Sequence, residues 1–269
     1  MTMQQTVPVV ITLSGNDPTG GAGIQADIEA LASMGCHAAP VVTAITVQDS
    51  QSVKAYVPLD SDLIIAQARA VLEDMPIACI KLGLLTSVET VEVVHSLLTD
   101  YPDIPVVMEP VLVPNASRAL TDNGIAEAMS TLLFPLVTVL TPDHAEARQL
   151  APEADTIDAC GMALLDRGCE FVLVTGAHEN AAEITNTLYG NHRILESFTW
   201  QRIEGAFHGA GCTLASGIAG LLAQGLEPFT AIHEAQEYTW ESLKRGYRIG
   251  MGRHFPNRLF WARSEEESE

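Results

Sequence analysis

The 269-residue sequence predicts an α/β fold: a mostly parallel sheet covered by helices on both faces, with an antiparallel hairpin at one edge. Three observations predict it. Short, continuously apolar runs alternate with segments of helical periodicity along the chain. The first run, Val7-Pro8-Val9-Val10-Ile11-Thr12-Leu13, is apolar on both faces, as a central parallel strand must be. Late in the chain, residues 183–189 and 193–200 change to the two-residue alternation of an antiparallel pair around a turn at Gly190-Asn191.

The first strand breaks into Ser14-Gly15-Asn16-Asp17-Pro18-Thr19-Gly20-Gly21-Ala22-Gly23, and a helix follows with Ile24, Ile28 and Leu31 on one face. The glycine spacing does not match G-x-G-x-x-G. The loop reads either as a close backbone approach to a small ligand or as a tight strand-to-helix turn. Residues 39–47 form a second apolar run ending at Gln48-Asp49, residues 61–72 are helical, and 78–83 form a short strand. Val88, Val91, His95 and Leu98 mark one face of the next helix, which leaves His95 at the helix surface or the core edge. A strand over 105–108 ends at Glu109-Pro110. Asp122 caps a helix reaching about Leu133, and a strand over 136–140 closes at Thr141-Pro142. Helices over 145–150 and 158–167 precede a strand at 171–174, and the last two helices cover 210–222 and 230–244. No repeat, low-complexity segment or linker interrupts this order. One domain is therefore expected over residues 1–269, with an ordered core from about 7 to 255.

Composition narrows the classes of function. Apolar residues make up 47% and charged residues 18%, as in ordinary globular chains. No apolar run reaches membrane-spanning length, and the polar start Met1-Thr2-Met3-Gln4-Gln5 lacks the layout of a signal peptide. The cysteines Cys36, Cys79, Cys160, Cys169 and Cys212 are scattered and form no Cys-x-x-Cys pair. This argues against a disulfide framework or zinc site and for a reducing cytoplasm. With 34 acidic residues against 14 basic, the net charge of −20 argues against nucleic-acid and anionic-membrane partners. The diffuse acidity, with Lys only at 54, 81 and 244, suits a high-salt cytoplasm, and the run Glu265-Glu266-Glu267-Ser268-Glu269 reads as a solvated terminus.

In a parallel sheet, ligands bind where strands end and loops begin. Asp17, Gln48, Gly83, Glu109, Asp143, Thr175-Gly176 and Gly209-Ala210-Gly211-Cys212 all fall at such ends, which favours a shared cleft. The last of these opens an apolar helix. A glycine turn there points unpaired N–H groups and the positive end of the helix dipole at an anion, and would lower the pKa of the Cys212 thiol. Taken alone, the stretch is equally an anion hole or a plain helix start with an inert cysteine.

Three motifs, read together, are specific. Ser14 to Asp27, Val42-Thr43-Ala44-Ile45-Thr46-Val47-Gln48 and His208-Gly209-Ala210-Gly211-Cys212-Thr213-Leu214 closely resemble the hydroxymethylpyrimidine/phosphomethylpyrimidine kinases of thiamine biosynthesis, in the ribokinase-like superfamily. Lys81-Leu82-Gly83-Leu84-Leu85, Thr141 to Ala147 and Val174-Thr175-Gly176-Ala177-His178 match three looser blocks, so the resemblance runs from about residue 8 to about 255. It implies a three-layer α/β/α sandwich, ATP and Mg²⁺ as cofactors, and a homodimer. The implied reaction is phosphorylation of 4-amino-5-hydroxymethyl-2-methylpyrimidine and then of its monophosphate.

By resemblance, Gly209, Ala210 and Gly211 form the anion hole and Cys212 helps deprotonate the substrate alcohol. Gln48 contacts the aminopyrimidine edge, for which an amide supplies both donor and acceptor. Gly15, Ala22, Asp27, Leu84 and Val111 line the pyrimidine pocket, while Asp143, Thr175, Gly176 and Gly209 serve the nucleotide. Glu109 and Glu146 fall on the Mg²⁺ side. The departures from the family pattern are Glu109 for a usual Asp, Asp143 for Asn, Thr175 for a frequent Lys, and the segment Val113 to Arg118. They remove positive charge from the ATP side. Two rival readings follow, a pyridoxal-type kinase of the same superfamily and a non-catalytic ligand-binding relative. Gln48 speaks against the first and Cys212 in an intact glycine turn against the second.

Overall fold

The computed structural model describes residues 7–112, 123–176 and 182–262. The strands are β1 (Val9–Asn16), β2 (His37–Gln48), β3 (Val53–Pro58), β4 (Ile77–Leu82), β5 (Val106–Met108), β6 (Val139–Leu140), β7 (Phe171–Val174), β8 (Glu183–Gly190) and β9 (Arg193–Gln201). Among the described residues they form one sheet in the order β3-β2-β1-β4-β5-β6-β7-β8-β9. The run from β2 through β7 is parallel. Antiparallel strands close both edges, β8 and β9 on one side and β3 on the other. Only the first of these edges is expected from the sequence. β3 carries Lys54 and ends on Pro58, and none of its residues is fully buried, so it lacks the apolar run that marks the inner strands. Proline is tolerated there because the strand is an edge.

Helices α1 (Gly23–Ser33), α7 (Ala210–Ala223) and α8 (Pro228–Lys244) cover one face. On the other lie α2 (Ser61–Asp74), α3 (Val88–Asp100), α4 (Asn123–Ala128), α5 (His144–Leu150) and α6 (Ile157–Asp166). Alternation along the strands feeds both layers: Val10 and Val107 pack with α7, whereas Ile11, Leu13, Val106 and Met108 pack with α2 and α3. α7 is buried almost all round, as expected of an apolar helix wedged between α1, α8 and the sheet.

Four local expectations are corrected. The buried face of α1 is Ala26, Asp27, Ala30 and Leu31, not the Ile24–Ile28 stripe, and Ile28 is 36% exposed. Small residues let α1 lie close to α7, where a Cβ on Gly220 would stand 2.8 Å from Met34 Cβ. The strand expected over 136–140 shrinks to β6, because a π turn at Met129–Leu133 and a 3-10 turn at Phe134–Leu136, holding Pro135, extend α4 first. The hairpin turns on Asn191 and His192, with φ of 50° and 53°, rather than on Gly190. The ordered chain also runs past residue 255, since Arg258 is among the buried residues. The Asp122 cap, the 113–118 segment, His178, the polar start and the acidic tail lie outside the described residues. No described helix is long and apolar enough to cross a membrane.

β1 pairs with β2 on one side and β4 on the other, so the chain departs from β1 in opposite directions. Such a switch point leaves a crevice at the carboxyl ends of the strands.

Candidate active site

The crevice holds a pocket of about 550 Å³, open mouth included, lined by Gly15 from the end of β1, Asp17 just beyond it, Ala22 and Gly23 at the start of α1, Thr46 and Gln48 from β2, Tyr56 from β3, and Leu84, Val111, His208 and Cys212. Gly15, Ala22, Gln48, Leu84 and Val111 are among the pocket residues expected from the sequence, and four segments far apart in the chain bring them together. A side chain at Gly15 would push Leu84 aside, because its Cβ would come within 2.9 Å of Leu84 Cδ2.

Asp17 organises the loop between β1 and α1. Its carboxylate accepts from the Thr19 amide (2.8 Å), the Thr19 hydroxyl (2.8 Å), the Ala22 amide (2.9 Å) and His208 Nε2 (2.7 Å). Burial alone would raise its pKa, but the His208 and Thr19 hydrogen bonds outweigh burial and bring it down to about 2. The last of these bonds crosses from the substrate loop to the residue just before the glycine turn of α7.

At that turn Gly209 has φ of 85°, and a Cβ there would lie 1.8 Å from the Gly21 carbonyl oxygen. Glycine is thus required twice over, for the left-handed backbone and for the close approach. The first helical bond of α7 runs from the Thr213 amide to the Gly209 carbonyl at 3.0 Å. The amides of Ala210, Gly211 and Cys212 precede it and have no acceptor within the helix, the arrangement that binds anions at helix N-termini. Glu109 reaches this turn from the end of β5, since a Cβ on Gly211 would stand 2.4 Å from Glu109 Oε1.

Beneath the turn lies a buried charge cluster. Lys81 Nζ on β4 is 2.8 Å from Asp27 Oδ1 and 3.4 Å from Glu109 Oε2. Ser216 Oγ donates to Asp27 Oδ1 at 2.7 Å, while Asp27 Oδ2 has no hydrogen-bond partner. Asp27 is expected to line the pyrimidine pocket; instead its carboxylate is fully buried against Lys81. Burial opposes the charge on Lys81, but Asp27, Cys212 and Glu109 outweigh it and raise the pKa. Cys212 also departs from expectation. Burial first, then the Glu109 charge, push its thiol well above the ordinary range, against the pull of Lys81. The helix N-terminus would lower this pKa, but the Glu109 carboxylate, brought from a strand end about a hundred residues away, faces the sulfur and opposes it.

On the far side of the crevice, Asp143 and Thr175 form a parallel bridge, so the structure does join these two candidates. Asp143 and Glu146 make a capping box: the Glu146 amide donates to Asp143 Oδ1 at 2.7 Å, and the Asp143 amide to Glu146 Oε2 at 2.8 Å. The Gly176 amide donates to Asn186 Oδ1 at 3.0 Å. Burial, then the Asp143 charge, with Glu109 adding to them, raise Glu146 to about 8. Asp143 and Glu109 thus crowd negative charge against Glu146. Among the described residues no group of three or more His, Cys, Asp or Glu forms a closed metal site. Two carboxylates beside an anion-binding turn fit Mg²⁺, which takes one or two protein carboxylates and fills its shell with water and phosphate.

Asp17, His208 and Lys81 are the residues that sequence reasoning underrated. A signal for Lys81 is present in the sequence: a lone lysine within the apolar run 78–83 has to be buried, and a buried ammonium needs an acid.

A family model described as phosphomethylpyrimidine kinase matches residues 17–257. The hydroxymethylpyrimidine/phosphomethylpyrimidine kinase of Streptomyces coelicolor is 34% identical over 92% of this chain and 93% of its own length. The enzyme of that name from Staphylococcus aureus is 29% identical over 96% of this chain and 95% of its own. Among solved structures, pyridoxal kinase from Bacillus subtilis in an ADP complex superposes with a TM-score of 0.88 at 26% identity, covering 96% of this chain and 99% of that one. Phosphomethylpyrimidine kinase from Clostridium difficile gives 0.71 at 29% identity, covering 86% and 98%. These resemblances, and the ribokinase-like fold that the superpositions share, agree with the pocket and turn described above: the chain belongs to the phosphomethylpyrimidine kinase family.

Proposed function

We propose that the protein transfers the γ-phosphate of ATP to the 5-hydroxymethyl group of 4-amino-5-hydroxymethyl-2-methylpyrimidine and then phosphorylates that monophosphate, in thiamine diphosphate biosynthesis. The observation that carries this reading is the meeting of Gln48 and Cys212 in one pocket with the α7 turn at its edge. Gln48 presents both a donor and an acceptor to an aminopyrimidine edge. The amides of Ala210, Gly211 and Cys212 receive the charge of the moving phosphoryl group, which needs positioning and electrostatic stabilisation above all. Cys212 is a neutral thiol hydrogen-bonded to Glu109. Its sulfur faces the substrate hydroxyl and helps to draw off the proton as the oxygen attacks. Thr175, Gly176, Asp143 and Gly209 border the nucleotide. Glu109 and Glu146 would hold Mg²⁺, which when bound neutralises phosphate charge. The protein acts as a homodimer in the cytoplasm.

A second reading, phosphorylation of a pyridoxal-type ring, is favoured by the superposition on pyridoxal kinases from B. subtilis and S. aureus, at TM-scores of 0.88 and 0.86. Release of ADP measured in parallel with hydroxymethylpyrimidine, its monophosphate and pyridoxal, with Cys212→Ala as control, separates the two. Turnover of both pyrimidines, lost in Cys212→Ala, is the expected result. Turnover of pyridoxal at a comparable rate would overturn the specificity, and binding without turnover of any of the three would overturn the kinase reading.

A further inference from the structure

We propose that Arg258 is a positioning residue that ties the substrate loop to the phosphate turn. The inference rests on those two segments carrying the alcohol and the phosphoryl group. Arg258 lies one residue beyond the 17–257 span of the family model and is only 2% exposed. Its Nε donates to Thr213 Oγ1 at 2.9 Å, and that hydroxyl donates to the Gly209 carbonyl at 2.7 Å. Nη2 donates to the Gly21 carbonyl, and Nη1 to the Gly20 carbonyl at 3.5 Å and to Glu29 Oε2 at 3.0 Å.

One planar group therefore holds three elements: the loop that Asp17 folds, the outer face of α1, and the first turn of α7. Their packing is tight, because a Cβ on Gly209 would meet both the Gly21 oxygen (1.8 Å) and Arg258 Nη2 (2.7 Å). Glu29 supplies the counter-charge that a buried guanidinium requires. A lysine would keep the charge but lacks the rigid fork that reaches separate acceptors at once. The Arg258 backbone is itself pinned, its carbonyl accepting from Tyr238 Oη at 2.9 Å and from Ser33 Oγ. The distance between loop and turn sets how the hydroxyl faces the phosphorus, and a misplacement of about 1 Å costs on the order of 100-fold in rate. The clamp fixes that distance from behind, without touching either reactant.

The test compares wild type with Arg258→Lys and Thr213→Val, the latter removing only the hydroxyl link. Steady-state kinetics and amide hydrogen exchange of the unliganded protein are read together. Both variants are expected to lose kcat by about tenfold or more, with the KM for ATP nearly unchanged. Exchange should quicken in peptides covering residues 17–23 and 209–216 and stay unchanged in α3. Wild-type kcat in a folded Arg258→Lys protein would overturn the proposal. So would faster exchange spread equally over α3, which marks a residue serving global stability alone. A wild-type protein inactive on every alcohol refutes the kinase reading instead, and the segment-specific exchange still decides whether the clamp exists.

Discussion

Replacing Lys81 by Met removes the cation from the buried cluster while keeping most of its apolar volume. Lys81 and Asp27 are both fully buried and 2.8 Å apart, and Asp27 then keeps only the Ser216 hydroxyl as a partner. Breaking such a pair from one side leaves an uncompensated charge in the interior, at a cost of about 3–5 kcal/mol. For a chain of this size each kcal/mol lowers Tm by roughly 2–4 °C, so a fall of roughly 10 °C is expected. Adding Asp27→Asn removes the stranded charge with little change of shape, and should recover at least about 2 kcal/mol of the loss. Activity should not return with stability, because Glu109 and Cys212 still lack their positive neighbour. Thermal and urea unfolding of the two single variants and the double, with ADP release on each, close the cycle. A Lys81→Met protein within about 1 kcal/mol of wild type, or a double variant no more stable than the single, would refute the charge-balance reasoning.

Three further variants test the turn and the substrate loop. Gly209→Ala should destabilise the fold by about 2 kcal/mol or more, through the left-handed backbone and the clash with the Gly21 carbonyl. Gly211→Ala should leave Tm near wild type and cut kcat, because its Cβ displaces only the movable tip of Glu109; unfolding and turnover assays that fail to separate the two would count against this account of the turn. Asp17→Asn tests the depressed carboxyl: a folded pKa of about 2 against 3.8 unfolded gives stability present above about pH 4 and lost as pH falls towards 2. The shift corresponds to about 2 kcal/mol, so the deficit of Asp17→Asn should be constant above pH 5 and shrink below pH 4 in pH-dependent urea unfolding.

What the sequence conveys depends on how local the cause is. The parallel core is legible because strands buried on both faces must be apolar throughout, and residues 7–13 and 171–174 leave no alternative. β3 is illegible because an edge strand owes its place to pairing with β2 rather than to its own side chains. The pocket residues Gly15, Gln48 and Leu84 come through motifs, in which each glycine reports a backbone constraint. Asp27 stands within one of those motifs but faces the other way, and what turns it is Lys81, two strands and a helix further on. The misjudged Cys212 thiol has the same origin. A helix terminus is visible in sequence, whereas the facing carboxylate of Glu109 is a tertiary fact. Arg258 gives no signal at all, being one of several arginines after the last long helix, and two of its acceptors are the carbonyls of Gly20 and Gly21.

That last contact has a consequence for the order of synthesis. Chains leave the ribosome at about 5–20 residues per second, so Gly20 and Gly21 emerge roughly 10–50 s before Arg258 can reach them. Throughout that interval the sheet can assemble around β1, while the loop and the turn stay without the guanidinium that joins them. A nascent chain stopped short of residue 258 can therefore hold every residue that touches substrate and still lack the geometry to use them.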